Sequence, residues 1–451
     1  MQDRVTPPVS PSANPRAPLA AFLSFLFPGL GQAYNGQSGL ALLLAAPAVI
    51  LVAGVLIIML TGPSQLLARL FDSRFLIGLI VLDLVLLAWR MIAVVQAHGR
   101  RERPSAQSWA TWVTGLLVMV VVAMHALPAY YVVKAIDTLD AVALGGDRGS
   151  NLDDLVPPGQ PEPSDQPEVG ERVNILLVGV DSLPGRTTQL TDTMLVVSLD
   201  PDGTRSAMIS IPRDLYGTPL PDGTVFNEKL NSLMVRAAGN PDRYPLGGVG
   251  TLKAAIGELL GVQIHYFAVI NLLGFKQTVD SIGGVDITVQ RAVNDPTYYD
   301  EFDRPAPLYI KAGWHHMDGH MALAFVRSRK GAGDTDFTRA DRQQQLLEAV
   351  RAKLTAGNLL LALPGLLDAV KNTIATDVPG DRIGQLAHAI QDADMSQLQR
   401  IVLQPPDYMT VDAFSKAGYI LIPNLEAIRA IAEQLILGST GEPSLEPSVG
   451  P

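Results

Sequence analysis

The sequence predicts an α/β fold, a sandwich around a mixed β-sheet, preceded by an α-helical membrane region. Three observations predict it. No Asp, Glu, Lys or Arg occurs between Arg16 and Arg69, or between Arg103 and Lys134, and each gap has room for the about 20 apolar residues of a membrane span. Short apolar runs such as "NILLVGV" and "MLVVSL", bounded by polar turns, read as buried strands. Helical patterns fall between these runs without a regular βαβ rhythm, which points to a mixed sheet.

Composition supports the division. A chain of 451 residues has room for two or more domains, and its 48% hydrophobic content is high for a soluble protein. With no cysteine, the chain has no disulfide framework and no Cys-based metal site or nucleophile. The net charge of −10 is unevenly spread: residues 1–135 carry nine Lys or Arg against four Asp or Glu, and the remainder 25 against 40. So acidic a second part opposes a general nucleic-acid surface, and any anion site there must be local.

The elements follow in order. Residues 1–17, rich in Pro and Ser, read as a disordered cytoplasmic tail. Residues 18–34 are apolar but broken at Pro28 and Gly29, which predicts a half-helix or interfacial segment. Membrane spans are expected at about 39–60, 75–95 and 109–133. The second contains Asp83 and Arg90, seven residues apart on one helical face, and mutual pairing is the expectation. Arg100, Arg101 and Arg103 precede the last span and belong in the cytoplasm by the positive-inside rule, so the region that follows is expected outside the plasma membrane.

Residues 136–171, rich in Pro, Gly and acids, predict an extended linker. Strands are expected at "RVNILLVGVD", "TMLVVSLDP", "RSAMISIPRD", "IHYFAVINL" and "VDITV", and helices at "VGTLKAAIGELLG" and "FTRADRQQQLLEAVRAKL". Asp336 is placed to cap the last of these. The folded region is expected over 172–438, with a loose tail over 439–451.

If the first two strands pair antiparallel, Asp181 ends one and Asp192 begins the next, so both carboxylates reach one sheet edge. Two hard oxygen ligands suit Mg²⁺; equally, both are ordinary turn residues. Arg213, after a strand and Pro212, reads as a surface Arg beside Asp214. Lys229 and Asn231 sit in a loop where solvation is the default. In "VRSRKGAGDTDFTRADRQQQ", Arg327 and Arg329 point to the same side of an extended chain, and Arg339 and Arg342 share a helix face. Four guanidinium groups need compensation by acids such as Asp334 and Asp336, or by a polyanion whose phosphates the guanidinium fork grips. Both readings stand at this point. His315, His316 and His320 do not read as a zinc site, since Gly313 and Gly319 break the required helix. Ser182 has no adjacent base to make it a nucleophile.

Together, "NILLVGVD", "TDTMLVVSLDP", "ISIPRDL", "KLN", "FAVINLLGFKQTVDSIGGVDITV", "MDGHMALAFVRSR" and "DFTRADRQQQ" resemble, in order, the LytR-CpsA-Psr family. The likeness covers roughly 172–357 and continues loosely to about 438. It implies an α/β/α sandwich whose enzyme moves a glycopolymer from a polyprenyl pyrophosphate carrier to a sugar hydroxyl of peptidoglycan. The product is a phosphodiester, and Mg²⁺, or Mn²⁺ in its place, is the implied cofactor. The partners implied are the polyprenyl-pyrophosphate-linked glycopolymer, the peptidoglycan acceptor and the plasma membrane, in a multi-pass protein with an extracytoplasmic catalytic domain. By the same resemblance Asp181 and Asp192 are the metal carboxylates, with Asp181 also a candidate base. Arg213, Arg327 and Arg329 bind pyrophosphate, Gln343 lies near it, and Lys229, Asn231, Arg339 and Arg342 complete the set. The family commonly has Arg where this chain has Leu190, and Arg186 is the expected substitute. "LKAAIGELLGV", "FAVINLLGF" and "NLLLALPGLLDAV" are candidate walls for a lipid tunnel, each also readable as core. A polyprenyl pyrophosphate hydrolase and a non-catalytic lipid-phosphate-binding protein are the alternative functions.

Overall fold

The computed structural model describes residues 16–61, 69, 73–99, 109–142, 167, 171–181, 190–200, 206–331, 333–353, 374–379, 382–383, 385–386, 389–390 and 397–436. It divides into two compact units, residues 1–136 and 137–451.

In the first unit, helices run Arg16–Leu26, Leu30–Tyr34, Ser38–Thr61, Ser73–Gly99 and Trp109–Val142. Three of them are long and apolar enough to cross a membrane. The break between the first two falls at Pro28 and Gly29, whose φ of 101° suits glycine and whose missing Cβ leaves room for the Ala41 carbonyl. Two expectations change. Arg90 donates to the carbonyl of Phe25 (2.8 Å), while Asp83 pairs with His125 at 2.7 Å. Helix-face periodicity placed Asp83 and Arg90 on one side, but the neighbouring helices offered each a nearer partner. The helix expected to end near 133 continues to Val142, past the start of the expected linker, because "KAIDTLDAV" contains no Gly or Pro to stop it.

The second unit is built on a six-stranded mixed sheet. Its strands are β1 (Val173–Val180), β2 (Thr191–Leu199), β3 (Ala207–Ser210), β6 (Tyr266–Asn271), β11 (Ile374–Thr376) and β12 (Gln399–Val402), in the order β11-β6-β1-β2-β3-β12. β1 pairs antiparallel with β2 and parallel with β6. Small hairpins surround it: β4 (Tyr216–Pro219) with β5 (Val225–Lys229), β7 (Val285–Val289) with β10 (Gly313–Met317), β8 (Val293–Asp295) with β9 (Leu308–Ile310), and β13 (Met409–Ser415) with β14 (Gly418–Pro423).

Alternation along the central strands sends side chains to both faces, which is why those strands read as continuous apolar runs. One face packs Leu176, Val196, Ile209 and Phe267 against the helices Gly247–Leu260 and Leu425–Ile436. Of the two readings of "LKAAIGELLGV", tunnel wall or core, the structure realises the core: Leu252, Ala255, Ile256 and Leu259 belong to it and are fully buried. The helix Asp336–Lys353 lies on the other face, where buried Gln344 donates to the Ser210 hydroxyl (2.9 Å) and the Ile401 carbonyl (3.0 Å). Beside it the helices Leu272–Ser281 and Gly319–Arg327 share a second core with β7. Their N-termini are capped by Asn271, which accepts from the Gly274 amide, and Asp318, which accepts from the Met321 amide, each at 2.8 Å.

A pH response is built in where the neighbouring strands β1 and β6 begin. The Asn174 amide donates to His265 Nδ1 (2.9 Å), and burial, aided by Lys253, holds the imidazole below its usual value against the opposing pull of Glu171. The unfolded chain therefore binds the proton first as pH falls, so stability present above about pH 6.5 is lost as pH drops through that value toward the folded pKa. Melting curves between about pH 5 and pH 8 should show this slope, and His265→Gln should flatten it.

Candidate active site

At the β1–β2 turn, pairing continues one residue beyond β1, with the Asp181 amide donating to the Leu190 carbonyl (3.2 Å). The register then shifts at Gly179 and Val180, a bulge that brings Asp192 to the same side as Asp181. Gly179 leaves room there for the Thr193 side chain, which a Cβ would meet at 3.0–3.1 Å. Both carboxylates line one end of a cavity of about 430 Å³ on the sheet face beneath Asp336–Lys353.

The cavity has two chemistries. Its walls are apolar, made by Leu177, Leu195, Ala268, Ile270, Phe275 and Leu346 among others, so "FAVINLLGF" is the tunnel wall proposed from sequence that does line it. "NLLLALPGLLDAV" lies outside the described residues. Its polar end holds Asp181, Asp192, Arg327, Arg329, Lys330, Arg339 and Gln343.

Arg327 and Arg329 meet there for a reason other than extended-chain alternation. Arg327 is the last residue of the helix Gly319–Arg327, and Ser328 turns extended (φ −57°, ψ 136°) to carry Arg329 back to the same cavity. Buried Asp295 holds this turn, accepting from the Ser328 hydroxyl (2.9 Å) and the Lys330 amide (3.2 Å). Arg327 Nη2 lies 3.8 Å from Asp181, while Nη1 is buried without a hydrogen-bond partner. Among the described residues, neither Arg329 nor the Lys330 ammonium has a side-chain partner. Tyr298, which sequence reasoning missed, lines the same cavity beside Arg327; burial raises its phenol pKa and the Arg327 charge opposes the rise only in part. Asp295 was missed as well. Nothing in "VNDPTYYD" separates these two from ordinary turn residues.

The other cations are held by acids. Arg213 Nη1 meets Asp192 at 2.5 Å, and its Nε lies 3.6 Å from Asp336 and 3.7 Å from Asp214. Burial lowers the Arg213 pKa, but Asp192, Asp336 and Asp214 outweigh it and raise the net value. Arg339, 6% exposed, pairs with Asp336 (3.2 Å) and donates to the Asp192 carbonyl (3.1 Å). Burial and the nearby Arg213 charge push its pKa down. Arg342 turns away from the cavity, to Asp334 (3.1 Å) and the Ser328 carbonyl.

Asp336 was expected to cap its helix. Instead Thr335 accepts from the Thr338 amide (3.2 Å), which leaves the Asp336 carboxylate for Arg213 and Arg339. The two readings of the arginine cluster thus divide: Arg339 and Arg342 form an ion-pair network, whereas Arg327 and Arg329 face the cavity.

Lys229 pairs with Asp214 (2.8 Å), and Asn231 exchanges backbone contacts with Arg213 and Thr191. Neither lines the main cavity, and both support the Arg213 segment. Arg213 lines a small neighbouring cavity that shares Asp192, Arg339 and Gln343 with the main one. Gln343 donates to the Val326 carbonyl at 3.4 Å. Arg186 and Ser182 lie outside the described residues, and Leu190 is 38% exposed. His315 meets the Lys311 carbonyl (2.8 Å), His316 meets Asp286 (2.7 Å), and His320 lies 3.7 Å from Glu301.

Among the described residues no group of three or more His, Cys, Asp or Glu could hold a metal. Asp181 and Asp192 supply two hard oxygen donors at the polar end of the cavity. That set fits Mg²⁺, which commonly takes one or two carboxylates and completes its shell with water and phosphate oxygens.

Comparison with known proteins adds to this geometry. A family model described as the LytR_cpsA_psr family matches residues 147–434, further in both directions than the 172–357 that carry the quoted motifs. A polyisoprenyl-teichoic acid–peptidoglycan teichoic acid transferase, TagU, of Bacillus mycoides (strain KBAB4) is 30% identical over 275 residues, 60% of this chain and 80% of the relative. The TagU of Oceanobacillus iheyensis is 28% identical over 297 residues, 65% of this chain and 84% of its own. The crystal structure of TagV from B. subtilis aligns with a TM-score of 0.46 and 23% identity, over 59% of this chain and 98% of that one.

Proposed function

We propose that this chain, which belongs to the LytR_cpsA_psr family, transfers a glycopolymer from a polyprenyl pyrophosphate carrier to a sugar hydroxyl of peptidoglycan. The observation that carries the reading is the pairing of an apolar cavity with a cationic end, where Arg327 Nη1 is buried and unpartnered beside Arg329 and Lys330. A buried N–H donor left without a partner is costly unless a ligand supplies one. An anion joined to a long hydrocarbon fits both halves.

In the reaction the acceptor oxygen bonds to the phosphorus next to the glycopolymer. The bond from that phosphorus to the bridging oxygen breaks, polyprenyl monophosphate leaves, and the acceptor hydroxyl loses its proton. Such transfer asks mainly for positioning and for neutralisation of charge on phosphate oxygens. Arg327 and Arg329 grip the pyrophosphate with planar forks. Arg213 and Arg339 set the position of Asp192, the first through its carboxylate and the second through its carbonyl. Asp181 and Asp192 would hold Mg²⁺, which supplies charge neutralisation at the transferring phosphoryl group.

The three long apolar helices anchor the chain in a membrane. A multi-pass arrangement with the catalytic unit outside the cell follows from the arginines at 100, 101 and 103. It also brings the enzyme to the compartment of its acceptor.

Product analysis tests the reading. With lipid pyrophosphate donor, Mg²⁺ and peptidoglycan fragments, phosphodiester-linked product should dominate, and chelation should abolish it. Free phosphorylated glycopolymer as the main product would instead show a hydrolase. Tight lipid binding without turnover at any Mg²⁺ concentration would show a non-catalytic binder.

A further inference from the structure

We propose that a second cavity, across the helix Asp336–Lys353 from the lipid cavity, is the docking site for the hydroxyl-rich glycan that accepts the transferred group. The inference rests on the transferase reading and names a site for its second substrate. The cavity is about 670 Å³, within the about 300–1,000 Å³ typical of ligand pockets. Helical periodicity separates the two sites. Arg339, Gln343, Leu346 and Val350 face the lipid cavity, whereas Thr338, Asp341, Arg342 and Gln345 face the second.

The lining is chosen for hydroxyls rather than for hydrocarbon or phosphate. Gln290, Gln345 and Gln404 offer amides that both donate and accept, Asp341 and Asp407 accept, and Tyr408 adds an aromatic ring. Three cations border the cavity, Arg291, Arg342 and Arg400, against the three carboxylates Asp334, Asp341 and Asp407 in the same lining; Arg342 pairs with Asp334 at 3.1 Å and Arg400 with Glu348 at 3.2 Å. A polyanion would therefore find little uncompensated charge, in contrast with the Arg327 end of the first cavity. A sugar ring, whose hydroxyls both donate and accept and whose C–H face is apolar, matches the lining. Arg342, 6% exposed, keeps a buried Nε with no partner at the cavity's edge.

A third, small cavity borders both. It is about 20 Å³ and shares Asp192, Arg339 and Gln343 with the lipid cavity, and Phe337 and Val402 with the second. In-line displacement brings the acceptor oxygen to phosphorus from the side opposite the leaving prenyl phosphate. A glycan seated across the helix from the lipid approaches from such a side, and a donor polymer has no comparable need of the second cavity.

The test uses the full chain in detergent with Asp341→Ala/Gln404→Ala, both residues exposed and outside the buried core. The probe is a peptide-free disaccharide released from peptidoglycan. Loss of two hydroxyl contacts should weaken its binding about tenfold and raise the acceptor KM by the same factor, leaving donor KM unchanged. Unchanged disaccharide binding in the double variant would overturn the proposal, as would a rise in donor KM in place of acceptor KM. If the wild-type chain transfers nothing, the transferase reading falls, while the direct binding measurement still decides this site.

Discussion

Arg327→Ala is expected to lower kcat for glycopolymer transfer about 10²–10³-fold, the range seen when one preorganised donor to developing charge is removed. The effect should be large because this guanidinium lines the cavity with one of its N–H groups buried and unsatisfied. Its Nη2 stands 3.8 Å from Asp181, beyond hydrogen-bond distance, and its Nη1 is buried without a partner. Removing it should cost little stability, since no hydrogen bond is lost at Nη1. Arg327→Lys keeps the charge but not the planar fork, so it should fall between wild type and alanine. Steady-state kinetics with thermal unfolding of each variant checks both halves. Transfer within threefold of wild type in Arg327→Ala would remove the pyrophosphate assignment.

The second large effect should come from filling the apolar cavity. Ala268 lies on β6 between Tyr266 and Ile270, and with Ile270 it lines the wall. Ala268→Trp places a ring where hydrocarbon is proposed to lie. Displacing the equivalent of four or five methylene groups costs about 3–4 kcal/mol at about 0.8 kcal/mol each. That corresponds to a rise of about 10²–10³-fold in KM for a long-chain polyprenyl donor. A donor truncated to one or two isoprene units should be far less affected. Equal activity of the variant on long-chain donors would show that the cavity is not the lipid site.

The long apolar helices and the central strands were legible because each is announced by local pattern. Charge-free apolar stretches, and β-branched runs bounded by turns, need no distant partner to be recognised. The approach of Asp181 to Asp192 was legible for the same reason, since an antiparallel pair with a short connection brings strand ends together. The Thr335 cap was less so. Asp336 and Thr335 are both competent at a helix start, and the choice depended on Arg213 and Arg339 drawing the Asp336 carboxylate into an ion pair. Similarly, the apolar face of Gly247–Leu260 looks the same from sequence whether it faces a core or a tunnel.

By itself the sequence determined that this protein has apolar helices long enough for a membrane and a mixed-sheet unit with two carboxylates at one strand edge. It also determined an arginine-rich segment shared with a family of transferases. Only the tertiary structure decided how those arginines divide. Arg339 and Arg342 are neutralised by Asp336 and Asp334, while Arg327 and Arg329 reach the polar end of the apolar-walled cavity with no acid within hydrogen-bond distance among the described residues. It likewise gave Asp83 to His125 rather than to Arg90. The physical reason is that periodicity states which side chains share a face but not what packs against that face: Arg339 and Arg342 find acids within their own segment, whereas Asp83 takes its partner from a helix 42 residues further along.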